Sequence, residues 1–77
     1  MKKEYLKQIF WDVEESNLNN LDKSQMVKRS ISFGTLPIIQ NMFSSFDRLS
    51  IKNIFLSMNP KTTTERRYNY FKKLLID

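Results

Sequence analysis

Residues 22–47 read DKSQMVKRSISFGTLPIIQNMFSSFD, and this stretch decides the fold. Asp22 and Gln25 have the spacing of a capping box, in which each side chain satisfies a backbone N–H at a helix start. Met26, Val27, Ile31 and Phe33 follow as apolar positions, with Ser30 on the same arc and Lys28 and Ser32 turned away. Gly34 stands where a left-handed C-cap is wanted. Thr35 then caps a second helix, and Pro37 is tolerated in its first turn because its missing N–H has no partner there. Leu36, Ile38, Ile39, Met42, Phe43 and Phe46 give this helix a broad apolar face, and so few of its residues are polar that it reads as the central helix of a bundle. Two helices meeting at one glycine, with no alternating pattern nearby, point to an all-α chain.

The same reading extends both ways. Tyr5, Leu6, Ile9 and Phe10 recur at three- and four-residue spacings, predicting a helix over 3–11. Residues 12–21, DVEESNLNNL, are acidic and asparagine-rich and read as a loop pinned by Leu18 and Leu21. Asp47 caps a fourth helix whose stripe is Ile51, Ile54, Phe55 and Met58. Leu49 and Leu56 lie to one side, as in a helix touching two neighbours. A last helix ends near residue 75, with two competing starts: Asn59-Pro60, or Thr62 paired with Glu65. Phe71 and Leu75 mark its inner face, with Tyr68 and Leu74 flanking. The expectation is one domain over 1–77, a compact all-α bundle of about five short helices, with a helix-turn-helix-like pair around Asp47.

At 77 residues the core is thin, since a chain of this size buries roughly 60% of its unfolded surface or slightly more. Six phenylalanines, one tryptophan and four methionines exceed what such a core absorbs, which predicts apolar surface available to a partner. Cysteine and histidine are absent, which removes thiolate chemistry, the usual general base and the commonest metal ligand. One glycine cannot build a nucleotide-binding loop. Asp12, Glu14 and Glu15 lack a second acidic cluster to complete an oxygen cage, and they read as solvated. No catalytic residue, metal, cofactor or small-molecule substrate is therefore inferred. Apolar runs are too short for a membrane span and no signal segment is visible, so the chain reads as cytoplasmic.

The net charge is +5, and residues 34–77, with seven basic and three acidic groups, hold +4 of it. DNA is a candidate partner on that ground. In a helix-turn-helix reading the second helix offers Arg48, Lys52 and Asn53, joined by Ser50 and Ser57. Lys61, Arg66, Lys72 and Lys73 near the last helix would make phosphate contacts, which hold a duplex without reading it. The alternative is a basic chain kept soluble by its lysines.

Two further features stand out. Phe10-Trp11-Asp12 reads as two aromatic anchors closing a small core, then a carboxylate able to accept from Arg29 or Arg67; an exposed Trp11 would instead be a recognition residue. Arg67 falls inside the apolar arc of its helix. It must snorkel, pair with Asp12 or Asp22, or serve a ligand, because an unpaired buried charge is costly.

These pieces together resemble a group of small bacterial helical proteins with an aromatic-Trp-Asp opening, an arginine-bearing helix ending in glycine, two short helices, and a Ser-Pro-x-Thr start to a final aromatic helix. The matching residues are Phe10-Trp11-Asp12, Asp22, Met26-Val27, Arg29, Gly34, Asn59-Pro60-Lys61-Thr62 and Tyr70-Phe71, spanning roughly residues 9–75. Asn59 replaces the pattern's serine, and Phe71 its tryptophan. The resemblance implies an antitoxin-like partner of nucleotidyltransferase-type toxins, and it carries over no catalytic residue. The function expected is a non-enzymatic protein-binding module that also self-associates. The alternative is a small DNA-binding regulator.

Overall fold

A computed structural model describes residues 1–76. Among them it is all-helical: α1 (Lys3–Ile9), a 3-10 helix (Glu15–Asn20), α2 (Lys23–Phe33), α3 (Leu36–Ser45), α4 (Arg48–Ser57), a 3-10 turn (Pro60–Thr62) and α5 (Glu65–Leu75). None of these helices is long and apolar enough to cross a membrane.

The caps explain most of the boundaries. Asp22 and Gln25 form the full capping box, with Gln25 N–H donating to Asp22 Oδ1 at 2.7 Å and Asp22 N–H donating to Gln25 Oε1 at 3.2 Å. Asp47 accepts from the Ser50 N–H at 2.9 Å and so starts α4. Asn59 caps only the 3-10 turn, and Thr64 caps α5 by accepting from the Arg67 N–H, so the pairing of Thr62 with Glu65 is not used. Thr35 occupies the N-cap position of α3 without a side-chain cap bond.

Gly34 corrects one expectation. Its φ of −68° is ordinary, so no left-handed cap exists. Glycine is needed for space instead: a Cβ would collide with the Ser30 carbonyl oxygen and lie 3.2 Å from Ile38 Cγ2.

The buried side chains form two clusters. The larger joins Val27, Ile31, Ile39, Met42, Ile51, Phe55, Met58, Phe71 and Leu75. The smaller joins Leu6, Ile9, Phe10, Leu18 and Ile38, with Val13, Leu21 and Met26 packed on it. α2 is the central helix, packed against α1, α3, α4 and α5, and it displaces α3 from that role. The broad apolar face of α3 has another reason: Ile38 enters the small cluster while Ile39 and Met42 enter the large one. Ser30, fully buried on α2, resolves its hydroxyl by donating to the Met26 carbonyl at 2.7 Å.

Several expected core residues stand in solvent. α1 stops at Ile9, so Trp11 leaves the helical phase and is 63% exposed. Phe33 and Leu36 flank the Gly34 bend on the outside, and both are exposed. α4 does touch two neighbours, α2 and α5, but Leu49 and Leu56, seven residues apart on it, share an exposed outer face. The expected surplus of apolar side chains is thus at the surface.

Candidate functional site

The site is organised around Arg29. α1 ends at Ile9, and Phe10 just after it stays buried while the chain turns and throws Trp11 outward. That turn leaves the last carbonyls of α1 and the Asp12 carboxylate facing α2. Arg29 reaches them from the middle of α2. Its Nη2 donates to Asp12 Oδ2 at 2.9 Å and its Nη1 to Asp12 Oδ1 at 3.1 Å, a bidentate pair. Nη1 also donates to the Ile9 carbonyl at 3.3 Å, capping the C-terminal end of α1. The Arg29 hydrogen bond holds the Asp12 carboxyl below the usual carboxylate range.

Three aromatic rings surround the guanidinium: Phe10 at 5.0 Å, Trp11 at 5.3 Å and Phe33 at 5.9 Å from centroid to carbon. Trp11 and Phe33 meet edge to face at 4.9 Å and 82°. Phe33 is four residues after Arg29 on α2, so the two share a helix face. Trp11 is therefore exposed but in contact with both the Phe33 ring and the Arg29 cation.

Beside this cluster runs an open groove of about 720 Å³. Phe10, Trp11 and Phe33 supply its aromatic wall, Met58 lies at its floor, and Lys28 and Asn59 add polar groups. Asp12, Arg29 and Thr62 line it as well. The opening motif, the α2 arginine and the turn before the last helix, far apart in sequence, converge on one surface. Of the four residues Phe10, Trp11, Asp12 and Arg29, the anchoring role expected for Trp11 is the one corrected. Phe33 and Met58 were expected only as core. The spacing of Arg29 and Phe33 was the available signal that Phe33 belongs to the site.

Among the described residues Arg67 meets no carboxylate. Its Nη1 donates to the carbonyls of Gly34 at 2.8 Å and Ile31 at 3.2 Å, capping the end of α2, so Asp12 and Asp22 are not its partners. The acidic loop is likewise committed: Glu15 accepts from Lys7 at 3.0 Å and Lys3 at 3.2 Å, tying the 3-10 helix to α1 and lowering the Glu15 pKa.

The basic residues singled out for DNA are distributed differently. Arg48 donates to the Leu74 carbonyl at the end of α5. The Ser50 hydroxyl is shared between Asp47 and Lys23, and that of Ser57 turns back to Ile54. Lys52 is half-buried and Asn53 exposed, between Leu49 and Leu56 on the outer face of α4. α3 and α4 each pack more extensively on α2 than on one another. Lys61, Arg66, Lys72 and Lys73 are all exposed. Among the described residues no group of three or more acidic side chains is placed to hold a metal ion.

No protein-family model matches the chain, and no curated protein or solved structure matches it.

Proposed function

We propose that this chain is a non-enzymatic protein-binding module, antitoxin-like in role, that docks a partner protein in the groove beside Trp11. The single observation that carries this is a large exposed aromatic ring, packed against Phe33 and Arg29, that lines an open, partly apolar groove. A tryptophan that is 63% exposed contributes little to the core, yet Phe33 and Arg29 fix its place. Preorganised aromatic side chains are efficient binding anchors, because the entropy of ordering them is lost before the partner arrives. The groove favours a partner segment that inserts an apolar side chain against Phe10 and Met58 and satisfies Lys28 at the rim.

Trp11 is the sole tryptophan, so its fluorescence reports the groove directly. The test is titration with the purified product of the neighbouring gene. Binding with a blue-shifted emission, weakened roughly 30-fold or more by Trp11→Ala, is the expected result. Binding unaffected by Trp11→Ala and Phe33→Ala, or no binding by a strict monomer, overturns the reading.

The geometry gives the DNA-binding alternative less support. The lead arginine of its reading helix is occupied by a helix end, and two exposed leucines share that helix's outer face.

A further inference from the structure

On the other side of the Phe33–Leu36 bend lies a second hollow, of about 340 Å³. Its floor is apolar, made by Ile39 and Phe71, and Leu36 and Tyr70 stand exposed at its edge. Arg66 and Arg67 both line it, and among the described residues no carboxylate does. Two cations without a counter-charge beside a partly apolar cavity are an unbalanced arrangement in a chain where Arg29 is fully paired.

The two arginines differ. Arg67 is half-buried and its Nη1 is fixed by two backbone carbonyls, which sets the plane of the guanidinium. Its Nη2 and Nε have no hydrogen bond among the described residues, so the free edge of the fork remains available. Arg66 is exposed and makes no hydrogen bond or ion pair among the described residues. A fixed fork with two free donors matches the two oxygens of one carboxylate, and the exposed Arg66 supplies a second cation beside it. The apolar floor and the exposed Leu36 and Tyr70 then suit apolar neighbours of that carboxylate. A phosphate in a nucleic-acid backbone brings sugar and further charge to the same surface, a poorer match.

We infer that this hollow is a carboxylate-accepting site that binds an acidic residue, flanked by apolar ones, in a segment of the partner protein. The inference rests on the protein-binding reading only in that a protein supplies the carboxylate. The site lies apart from Trp11, and the two readings fail separately.

The experiment is an amide-resolved NMR titration of the full ¹⁵N-labelled chain. The probe is the acetylated, amidated tripeptide leucyl-glutamyl-phenylalanine, with its glutamine counterpart and a short oligothymidylate as comparisons. The expected result is saturable shifts centred on Gly34, Thr35, Leu36 and Tyr70. Affinity should drop about tenfold for the glutamine peptide and again for Arg66→Gln, whose spectrum otherwise matches the parent. Arg67→Lys should weaken binding also, because an ammonium keeps the charge but not the fork. Equal binding of the two peptides, shifts centred elsewhere, indifference to Arg66→Gln, or tighter binding of the oligothymidylate at these amides overturns the inference. None of these outcomes alters the Trp11 emission test.

Discussion

At the scale of single residues, the roles here are decided by immediate surroundings more than by residue type. Gly34 shows this well. Its backbone angles suit any residue, yet the Ser30 carbonyl stands where a side chain would begin. The obstructing atom belongs to the last turn of α2 and cannot rotate aside, while Ile38, also close, is buried. Gly34→Ala must therefore move α3 relative to α2, in the one place where Arg67 also grips the chain. Overpacking of this kind costs about 1–3 kcal/mol. Urea denaturation should show the midpoint lowered accordingly with an unchanged slope, and an unchanged midpoint would mean that the bend opens freely. The same lesson applies to Trp11 and Phe10. They are adjacent aromatic residues, and one is buried and the other exposed because the helix ends between Ile9 and Trp11.

At the scale of elements, local signals were legible and non-local ones were not. Asp22 with Gln25, Asp47, and the apolar stripes of α2, α4 and α5 involve residues three or four apart, so spacing alone locates them. The pairing of Asp12 with Arg29 was visible as one of two options, and the chain turn after Ile9 selects it. What spacing could not give were the acceptors of the arginines. Arg29, Arg67 and Arg48 each donate to carbonyls at the C-terminal end of a helix other than their own: α1, α2 and α5 respectively. Positive charge there complements the helix dipole and satisfies carbonyls that have no partner within the helix. The partner helix depends on packing, which is why spacing leaves Arg67 open between snorkelling, a carboxylate and a ligand, and offers Arg48 to DNA. Capping also separates two threonine and aspartate positions that look equivalent in sequence. Asp47 accepts a backbone N–H and Thr35 does not. Asp47→Ala should cost about 0.5–2 kcal/mol of stability. Thr35→Ala should cost much less. Paired thermal melts check the contrast, and equal losses would show that Thr35 contributes by another route.

At the scale of the whole molecule, α2 and α3 join the two core clusters, and charged contacts tie down chain segments at the surface. Three carboxylates make the outer ties: Asp12 to α2, Glu15 to α1, and Asp47 at the start of α4. Each has its pKa lowered, Asp12 by its hydrogen bond from Arg29, Glu15 by those from Lys7 and Lys3, and Asp47 by those from Ser50. A carboxyl whose pKa is lower in the folded chain binds its proton more readily once unfolded. Its contribution is fully present above the unfolded pKa, near about 4, and is lost as pH falls through the lower folded value. Stability should therefore be flat from about pH 8 to pH 5 and fall below about pH 4. All three groups are exposed, so solvent screening keeps each contribution small, and the loss accumulates from several sites. A second effect acts in the same direction: protonation of the acidic side chains leaves thirteen basic groups nearly uncompensated. The two effects separate by substitution. Asp12→Asn removes the linked titration at that site, so the variant should start less stable at pH 7 and lose less between pH 5 and pH 3 than the parent. Added salt should restore part of the acid loss caused by general repulsion. Urea midpoints across this pH range, at low and high salt, measure both. A parent and an Asp12→Asn variant with parallel curves would show that the Arg29 pair does not couple folding to protonation, leaving net charge as the cause of acid sensitivity.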